Sequence, residues 1–358
     1  MSPLSRYSRF LFLFLFCSLG LATSAFAHED ELHQPADNLE EYLAQMDTLL
    51  MCRTHAQGGK YEQERTVKVN PKSIRTVKEI LHHGGYLGPC ADFGDRQSMG
   101  NGYFETYVQL KKDKTPWALG YVFGESTLVN MPTKKNDGQN CFDVNGNGKL
   151  EEDGTSVLND TDLHHDECVA GHQRVLFFPH QDKIQPFKWA LLNYQPQGHS
   201  PVMVYGKPHF DFHFMTMDFI ERNYIRVGPC GLLINCEDFV KAVKPIAPQF
   251  IPADFITVGA AEARMGDHRV DVTSGEWHGH DYTHTWIYGA YDGSIIFWEP
   301  MITVEYLKSK PYTCVPIKLP EAYQESGYYP TSYCMRYSPE RKEYRVSIEG
   351  LVYRDKSL

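Results

Sequence analysis

Residues 208–214 read Pro-His-Phe-Asp-Phe-His-Phe, a strict alternation of polar and aromatic side chains. In a β-strand, successive side chains point to opposite faces, so His209, Asp211 and His213 are expected on one face and the phenylalanines on the other. The aromatic face suits a buried core. Two imidazoles and a carboxylate at period two suit one metal ion or one ligand. The alternative is a strand whose polar face is only hydrogen-bonded.

The sequence around this strand predicts an α+β fold with a mainly antiparallel β-sheet or a barrel-like core. Segments rich in aromatic and β-branched residues predict further strands, at residues 103–110, 117–123, 174–178, 188–194 and 344–353. A hairpin is predicted at 283–298, because Asp292-Gly293 is a favoured two-residue turn. Helices are predicted at 38–54, at 71–83 with Asn70 as N-cap, and, in short form, at 218–227 and 237–243.

The first 27 residues predict a signal peptide, and therefore export to the periplasm or the medium. Arg6 and Arg9 precede a short apolar run, and Ala25-Phe26-Ala27 has the small residues of a cleavage site. No later run is long and apolar enough to predict a transmembrane segment. The expected organisation is a flexible acidic N-terminus at 28–37, a helical region at 38–100, a β-rich core at 101–307 with an insertion at 136–172, and a C-terminal extension at 308–358.

Charge and cysteine content narrow the class of protein. The chain carries a formal net charge of −10 at pH 7, which disfavours nucleic acid and anionic membranes as partners. All but one of the cysteines follow the predicted signal peptide, and their even number predicts disulfides in an exported chain. Connectivity does not follow from the sequence, and the pairing we predict joins sequence neighbours. The pairs are Cys52–Cys90, Cys141–Cys168, Cys230–Cys236 and Cys314–Cys334.

The insertion contains a loop typical of calcium binding at residues 143–154, with Gly148 where the chain must turn sharply. The predicted oxygen ligands are Asp143, Asn145, Asn147, Lys149 through its carbonyl, Glu151 and Asp153. The match fails at the twelfth position, which is Gly154 instead of Glu. The residues able to supply the missing carboxylate are Glu152, Asp153, Asp162, Asp166 and Glu167. The alternative is an Asn-Gly-rich turn that holds no ion.

Other histidines and one glutamate lie near the ends of apolar segments. Neutral imidazole with carboxylate suits zinc, copper, iron or nickel. The predicted shell consists of His209, His213, His268, His284, Glu299 and Asp211, the last as a ligand or as the orienting partner of a histidine. His199 lies in a loop before the strand, whereas His278 and His280 lie in a polar loop and are expected to be solvated. Each side chain has the alternative of a hydrogen-bonded structural role.

An ordered series of motifs resembles a known family. The motifs are Leu192–His199, Pro208–Phe214, Met265–His268, Thr283–Gly293 and Glu299–Met301. Together they resemble an uncharacterised family of exported bacterial proteins, whose prototype is a sigma-factor-controlled Thermus protein of unknown function. The similarity runs from about Gly102 to Leu307. The resemblance implies an exported, β-rich homo-oligomer and brings together the same candidate ligands, but it implies no activity.

Three kinds of function fit these patterns. The first is an exported soluble protein that binds a metal ion such as Zn²⁺, or a small-molecule ligand, through the His-x-Asp-x-His strand, with structural Ca²⁺ in the loop. The second is a metal-dependent hydrolase or isomerase, with a metal-bound water as nucleophile and Asp211 or Glu299 as base. The third is a purely structural oligomeric envelope protein. An open coordination position facing a pocket would favour the second kind.

Overall fold

The computed structural model describes residues 40, 43, 46–54, 62–70, 72–150 and 167–357. The strands in these ranges are β1 (Thr48–Thr54), β2 (Glu62–Lys68), β3 (Tyr86–Leu87), β4 (Ala91–Met99), β5 (Gly102–Leu110), β6 (Pro116–Gly124), β7 (His172–Phe177), β8 (Trp189–Gln195), β9 (His209–Met215), β10 (Val227–Cys230), β11 (Phe255–Glu262), β12 (Gly266–Asp271), β13 (His284–Tyr291), β14 (Ser294–Thr303), β15 (Tyr312–Pro316), β16 (Gly327–Tyr329), β17 (Ser332–Ser338), β18 (Glu343–Glu349) and β19 (Val352–Arg354). The α-helices there are α1 (Ser73–His82), α2 (Val202–Tyr205), α3 (Cys236–Ala242) and α4 (Val304–Lys308). Short 3₁₀ helices lie at Glu125–Leu128, Glu221–Tyr224, Pro248–Phe250 and Gly275–His278.

Two large antiparallel sheets form the body of the fold. A seven-stranded sheet has the order β11-β12-β13-β14-β9-β8-β7, and a six-stranded sheet has the order β15-β17-β18-β6-β5-β4. Smaller sheets join β2-β1-β3 and β16-β19. The predicted α+β class with a mainly antiparallel sheet is confirmed, and the sheets are open rather than closed into a barrel.

The aromatic face of β9 packs against the six-stranded sheet. Phe210, Phe212 and Phe214 are fully buried, and the ring of Tyr121 on β6 lies 5.1 Å from that of Phe212 and 5.5 Å from that of Phe214. These are normal separations for edge-to-face aromatic pairs. The Tyr121 hydroxyl also donates a hydrogen bond of 2.7 Å to the backbone carbonyl of His213. The polar face of β9 therefore points away from this core.

Strands from the predicted C-terminal extension complete the six-stranded sheet. β18 pairs with β6 along its whole length, from Glu343 opposite Gly124 to Glu349 opposite Ala118. The strand predicted at 344–353 is divided into β18 and β19 at Gly350, whose φ of +65° interrupts extended backbone. The C-terminal segment thus contributes directly to the aromatic core between the two sheets.

The helix predicted at 38–54 is wrong over residues 48–54, which form β1. The apolar spacing at the start of this segment has a helical period, but Leu49 and Met51 alternate and are both buried. They pair with Val67 on β2 and Leu87 on β3. Tertiary pairing has therefore overridden a weak local pattern, as it commonly does for short apolar runs.

Other local predictions agree with the structure. Helix α1 begins after Asn70, whose side-chain oxygen accepts from the backbone N–H groups of Lys72 and Ser73. The predicted hairpin is β13–β14, and Asp292 and Gly293 both adopt positive φ, as a tight two-residue turn requires. At 218–227 only residues 221–224 are helical, whereas α3 matches the helix predicted at 237–243.

Four disulfides join the cysteines in the predicted pairs: Cys52–Cys90, Cys141–Cys168, Cys230–Cys236 and Cys314–Cys334. The predicted signal peptide and acidic N-terminus lie outside the described residues. Within the described ranges, no helix has the length and apolar character needed to span a membrane.

Candidate metal centre

Strand β9 carries the first part of the site on the face opposite the aromatic core. His209, Asp211 and His213 are almost completely buried, with at most 3% of each residue exposed. β8 places Gln195 beside His209 and Asn193 beside Asp211. The Gln195 amide donates to Oδ2 of Asp211 at 3.2 Å and orients its carboxyl group.

Glu299 and His268 reach the same face from β14 and β12. The β14–β9 ladder pairs Met301 with Asp211, and the same register places Glu299 across from His213. Glu299 is 1% exposed. His268 lies on β12, which is separated from β14 by β13, because β12 pairs with β13 and β13 pairs with β14. Side chains of β9, β14 and β12 therefore meet on one patch of the sheet.

Gly289 on β13 makes this convergence sterically allowed. It lies between His268 and Phe297 in the ladder, and a Cβ atom there would come within 2.1 Å of the Phe297 ring. That ring lies 4.8 Å from the His213 ring and 5.2 Å from the His268 ring. Phe297 therefore supports both imidazoles and needs a glycine beneath it.

The polar side chains form two triads of ligand-type atoms. In the first triad, His213, His268 and Glu299, and in the second, His199, His209 and Asp211, the ligand atoms all lie within 4.8 Å of one another. His213 Nε2 is 3.6 Å from Glu299 Oε1, and His209 Nε2 is 3.1 Å from Asp211 Oδ1. Ligands about 2.1 Å from a tetrahedral ion are about 3.4 Å apart, so both distances are close to those of a metal shell.

Backbone carbonyl groups hold the four imidazoles in one tautomer. A carbonyl oxygen can only accept, so the ring nitrogen facing it carries the hydrogen. In each ring this nitrogen is Nδ1, and the neutral ring then has its lone pair on Nε2. The contacts are His199 with Ser200 O (2.9 Å), His209 with Lys207 O (2.6 Å), His213 with Leu191 O (3.0 Å) and His268 with Ala260 O (2.9 Å).

Burial keeps most of these rings neutral. Removal from water lowers the pKa of His199 to about 4 and that of His213 to about 3, and it also lowers the pKa of His268. Neutral imidazole is the form that binds a metal. The first triad therefore has both of its imidazoles available as ligands at neutral pH.

The carboxyl groups respond to burial in different ways. Burial alone would raise the pKa of Asp211, but the neighbouring histidines His209, His199 and His213 together outweigh burial and lower that pKa. Burial, followed by repulsion from Asp211, raises the pKa of Glu299 and of Glu262 well above the usual value. Asp211 is thus an anion, whereas Glu262 and Glu299 hold protons. A cation bound by Glu299 would displace the proton of that residue.

Several atoms of the two triads are buried without a hydrogen-bond partner. They are His209 Nε2, Asp211 Oδ1, His213 Nε2 and Glu299 Oε2, and Glu262 Oε1 nearby is in the same state. His209 and Asp211 are close, yet their atoms are not aligned for a hydrogen bond. A buried polar group without a hydrogen-bond partner typically lowers stability by about 1–3 kcal/mol, so several such groups in one place require an explanation. Coordination of a cation by a triad would satisfy the lone pairs of that triad.

A cavity of about 310 Å³ opens onto the cluster. Its wall includes His199 from one triad, His268 from the other, and Glu262. Asn193 and Gln195 line it as well. A small molecule in this space would reach one ligand of each triad, and neither triad has a fourth protein ligand among the described residues. Three protein ligands beside a cavity would leave a bound ion with an open position for substrate or water, as in catalytic metal sites.

His284, predicted as a ligand, lies on the opposite face of the seven-stranded sheet. Ile287 pairs with Glu299, so the odd-numbered residues of this part of β13, Thr285 and Ile287, lie on the face of the site. His284 pairs with Ile302, and its side chain points to the other face. Its Nδ1 lies 2.8 Å from the hydroxyl of Tyr333, on the six-stranded sheet. The other predicted ligands form the two triads, whereas His278 and His280 are exposed. His199 and Glu262 join the site although the predicted shell omits them; His199 was recognisable by residue type, but Glu262 is an ordinary strand residue in the sequence.

Two other groupings of Cys and Glu side chains are not metal sites. Cys52 and Cys90 lie near Glu62, and Cys314 and Cys334 lie near Glu349. The cysteines of each group are joined in a disulfide and offer no thiolate.

The structure describes the calcium-like loop only over residues 143–150. Asp143 accepts hydrogen bonds from the backbone N–H groups of Gly146, Asn147 and Gly148. Glu167, one of the residues considered able to fold back, accepts from the N–H of Val144 at 2.9 Å. The Asn145 and Asn147 side chains likewise accept from backbone groups of the loop, at Asn147 and Lys149. The predicted ligands Glu151 and Asp153 lie outside the described residues.

Comparisons with protein families, curated proteins and solved structures found no match. The resemblance to the exported bacterial family therefore stays a prediction. Function has to be inferred from the geometry of the site.

Proposed function

We propose that the protein binds a divalent transition-metal ion through His213, His268 and Glu299. The observation that carries this proposal is the pair of buried ligand atoms without hydrogen-bond partners, His213 Nε2 and Glu299 Oε2, beside the His268 ring. Backbone carbonyls hold Nδ1 of both histidines. A hydrogen-bonded structural role would satisfy both nitrogens of a buried histidine. Two imidazoles and one carboxylate suit zinc or ferrous iron, and Zn²⁺ is the probe we would use.

The metal content of the purified protein tests this proposal. The mature chain, purified without a histidine tag or chelator, is expected to contain at least one transition-metal ion per chain by elemental mass spectrometry. His213→Ala and His268→Ala should each remove that ion. His284→Gln should retain it, because His284 lies on the other face of the sheet.

The His284→Gln variant is a matched control, since it also removes a partly buried histidine of the same sheet. Near-equal metal content in the wild type, His213→Ala and His268→Ala would refute the proposed ligands. A metal-free wild type that stays metal-free after equilibration with Zn²⁺ would favour the purely structural alternative. Circular dichroism of each variant separates loss of metal from loss of fold.

A second candidate function is metal-dependent hydrolysis. The cavity beside His268 and the protonated Glu262 favours it, because a bound water could be activated there with an acid close by. A screen of ester, phosphate and peptide substrates with the zinc-loaded protein tests this candidate. Activity that is lost in Glu262→Gln while metal content is retained would support it, and activity unchanged in His268→Ala would refute it.

We also propose that the loop at 143–154 binds calcium in a structural role, and that the protein is exported. Clustered oxygen side chains at Asp143, Asn145 and Asn147 support the first statement, and the disulfides support the second. Calcium should slow proteolysis between Cys141 and Cys168, and Asp143→Ala should abolish that effect. Equal cleavage rates with calcium and with chelator would refute the calcium proposal.

A further inference from the structure

We propose that the cluster holds two cations, with His199, His209 and Asp211 as ligands of the second. This inference rests on the proposed metal-binding function, since it assigns a second ion beside the first. The sequence predicts a single shell for all the ligands of β9. The structure divides them into two triads with no residue in common.

The spacing along β9 argues against one shared ion. His209 and His213 are four residues apart, which is about 13 Å between Cα atoms at the rise of a β-strand. Side chains on one face of a sheet stand roughly parallel to one another. Two such imidazoles do not approach to the roughly 3.4 Å that separates ligands of one tetrahedral ion. One ion bound to His213 therefore leaves His209 without a metal partner.

The second triad meets the same criteria as the first. His209 is fully buried and Asp211 is 3% exposed, and their Nε2 and Oδ1 atoms are 3.1 Å apart without a hydrogen bond. Nδ1 of His209 and of His199 faces a backbone carbonyl, so the neutral form of each ring has its lone pair on Nε2. Gln195 donates to the remaining oxygen of Asp211, as outer partners of metal-ligating carboxylates do.

The experiment measures zinc per chain after chelator treatment and equilibration with Zn²⁺ as the only probe metal. The wild type and the control His284→Gln should bind two ions. His199→Ala and His268→Ala should each bind one, and the double variant should bind none. His199 is a suitable position because it lies in a loop at the cavity wall and is only partly buried.

The outcomes separate the two proposals. One ion in the wild type that is lost in His268→Ala but kept in His199→Ala would overturn the second site and leave the proposed function intact. One ion lost in both single variants would show a single shared site and overturn the inference. No bound zinc in the wild type would overturn both. If a variant fails to fold, a zinc titration of the wild type decides the matter, since saturation at two ions per chain supports the second site and saturation at one ion overturns it.

Discussion

His284 offers a direct test of how burial in this fold controls histidine protonation. It is a partly buried residue on β13, with Nδ1 2.8 Å from the Tyr333 hydroxyl and its ring 5.0 Å from that of Tyr306. Burial lowers the pKa of His284 from 6.5 to about 4. Because His284 lies away from both triads, its titration can be studied without disturbing the candidate metal ligands.

The direction of the stability change depends on whether the folded or the unfolded chain binds the His284 proton more tightly. Below pH 6.5 the unfolded chain protonates His284, whereas the folded chain does so only near pH 4. The contribution of His284 to stability is therefore fully present above pH 6.5 and is lost as the pH falls toward 4. At about 1.4 kcal/mol per pH unit, the loss is about 2 kcal/mol between pH 7 and pH 5 and about 3 kcal/mol by pH 4.

Urea unfolding followed by tryptophan fluorescence measures this loss. Between pH 7 and pH 5 the free energy of unfolding should fall by about 2 kcal/mol more in the wild type than in His284→Phe or His284→Gln. At pH 7 His284→Phe should be the least stable, because the buried Tyr333 hydroxyl loses its partner at a cost of about 1–3 kcal/mol. His284→Gln offers that hydroxyl a polar partner that does not titrate. Parallel stability curves for the wild type and both variants would refute the burial argument.

Three further variants test the site and the architecture of the fold. Gly289→Ala should displace the Phe297 ring, cost about 1–3 kcal/mol of stability and lower zinc content; normal zinc binding would contradict the supporting role of that ring. Phe212→Ala should cost about 3–5 kcal/mol in urea unfolding yet leave zinc per chain unchanged, because its ring points into the opposite core; zinc loss from a folded variant would contradict this. Replacing Cys52 and Cys90 by alanine opens a loop of 38 residues and should cost about 4 kcal/mol; a change below about 1 kcal/mol would show that the bond is dispensable.

Local patterns predicted the elements that depend on neighbours in the chain. The alternation at 209–215 predicted both the strand and its two faces, and Asp292-Gly293 predicted the hairpin turn. The segment at 48–54 shows the limit of such reasoning. Its apolar residues fit either period, and pairing with β2 and β3 decided the outcome.

The sequence by itself determined that His209, Asp211 and His213 share one face, because side chains of a strand alternate whatever surrounds them. Which other residues join that face is a matter of strand order and register. His268 lies on the same face as these residues, because it pairs with Gly289. The His284 side chain points to the opposite face of the sheet, toward the aromatic core. His199 and Glu262 arrive from a loop and from the edge strand β11. The division into two triads was decided only by the tertiary structure, because the sequence encodes periodicity along a strand but not distances between strands.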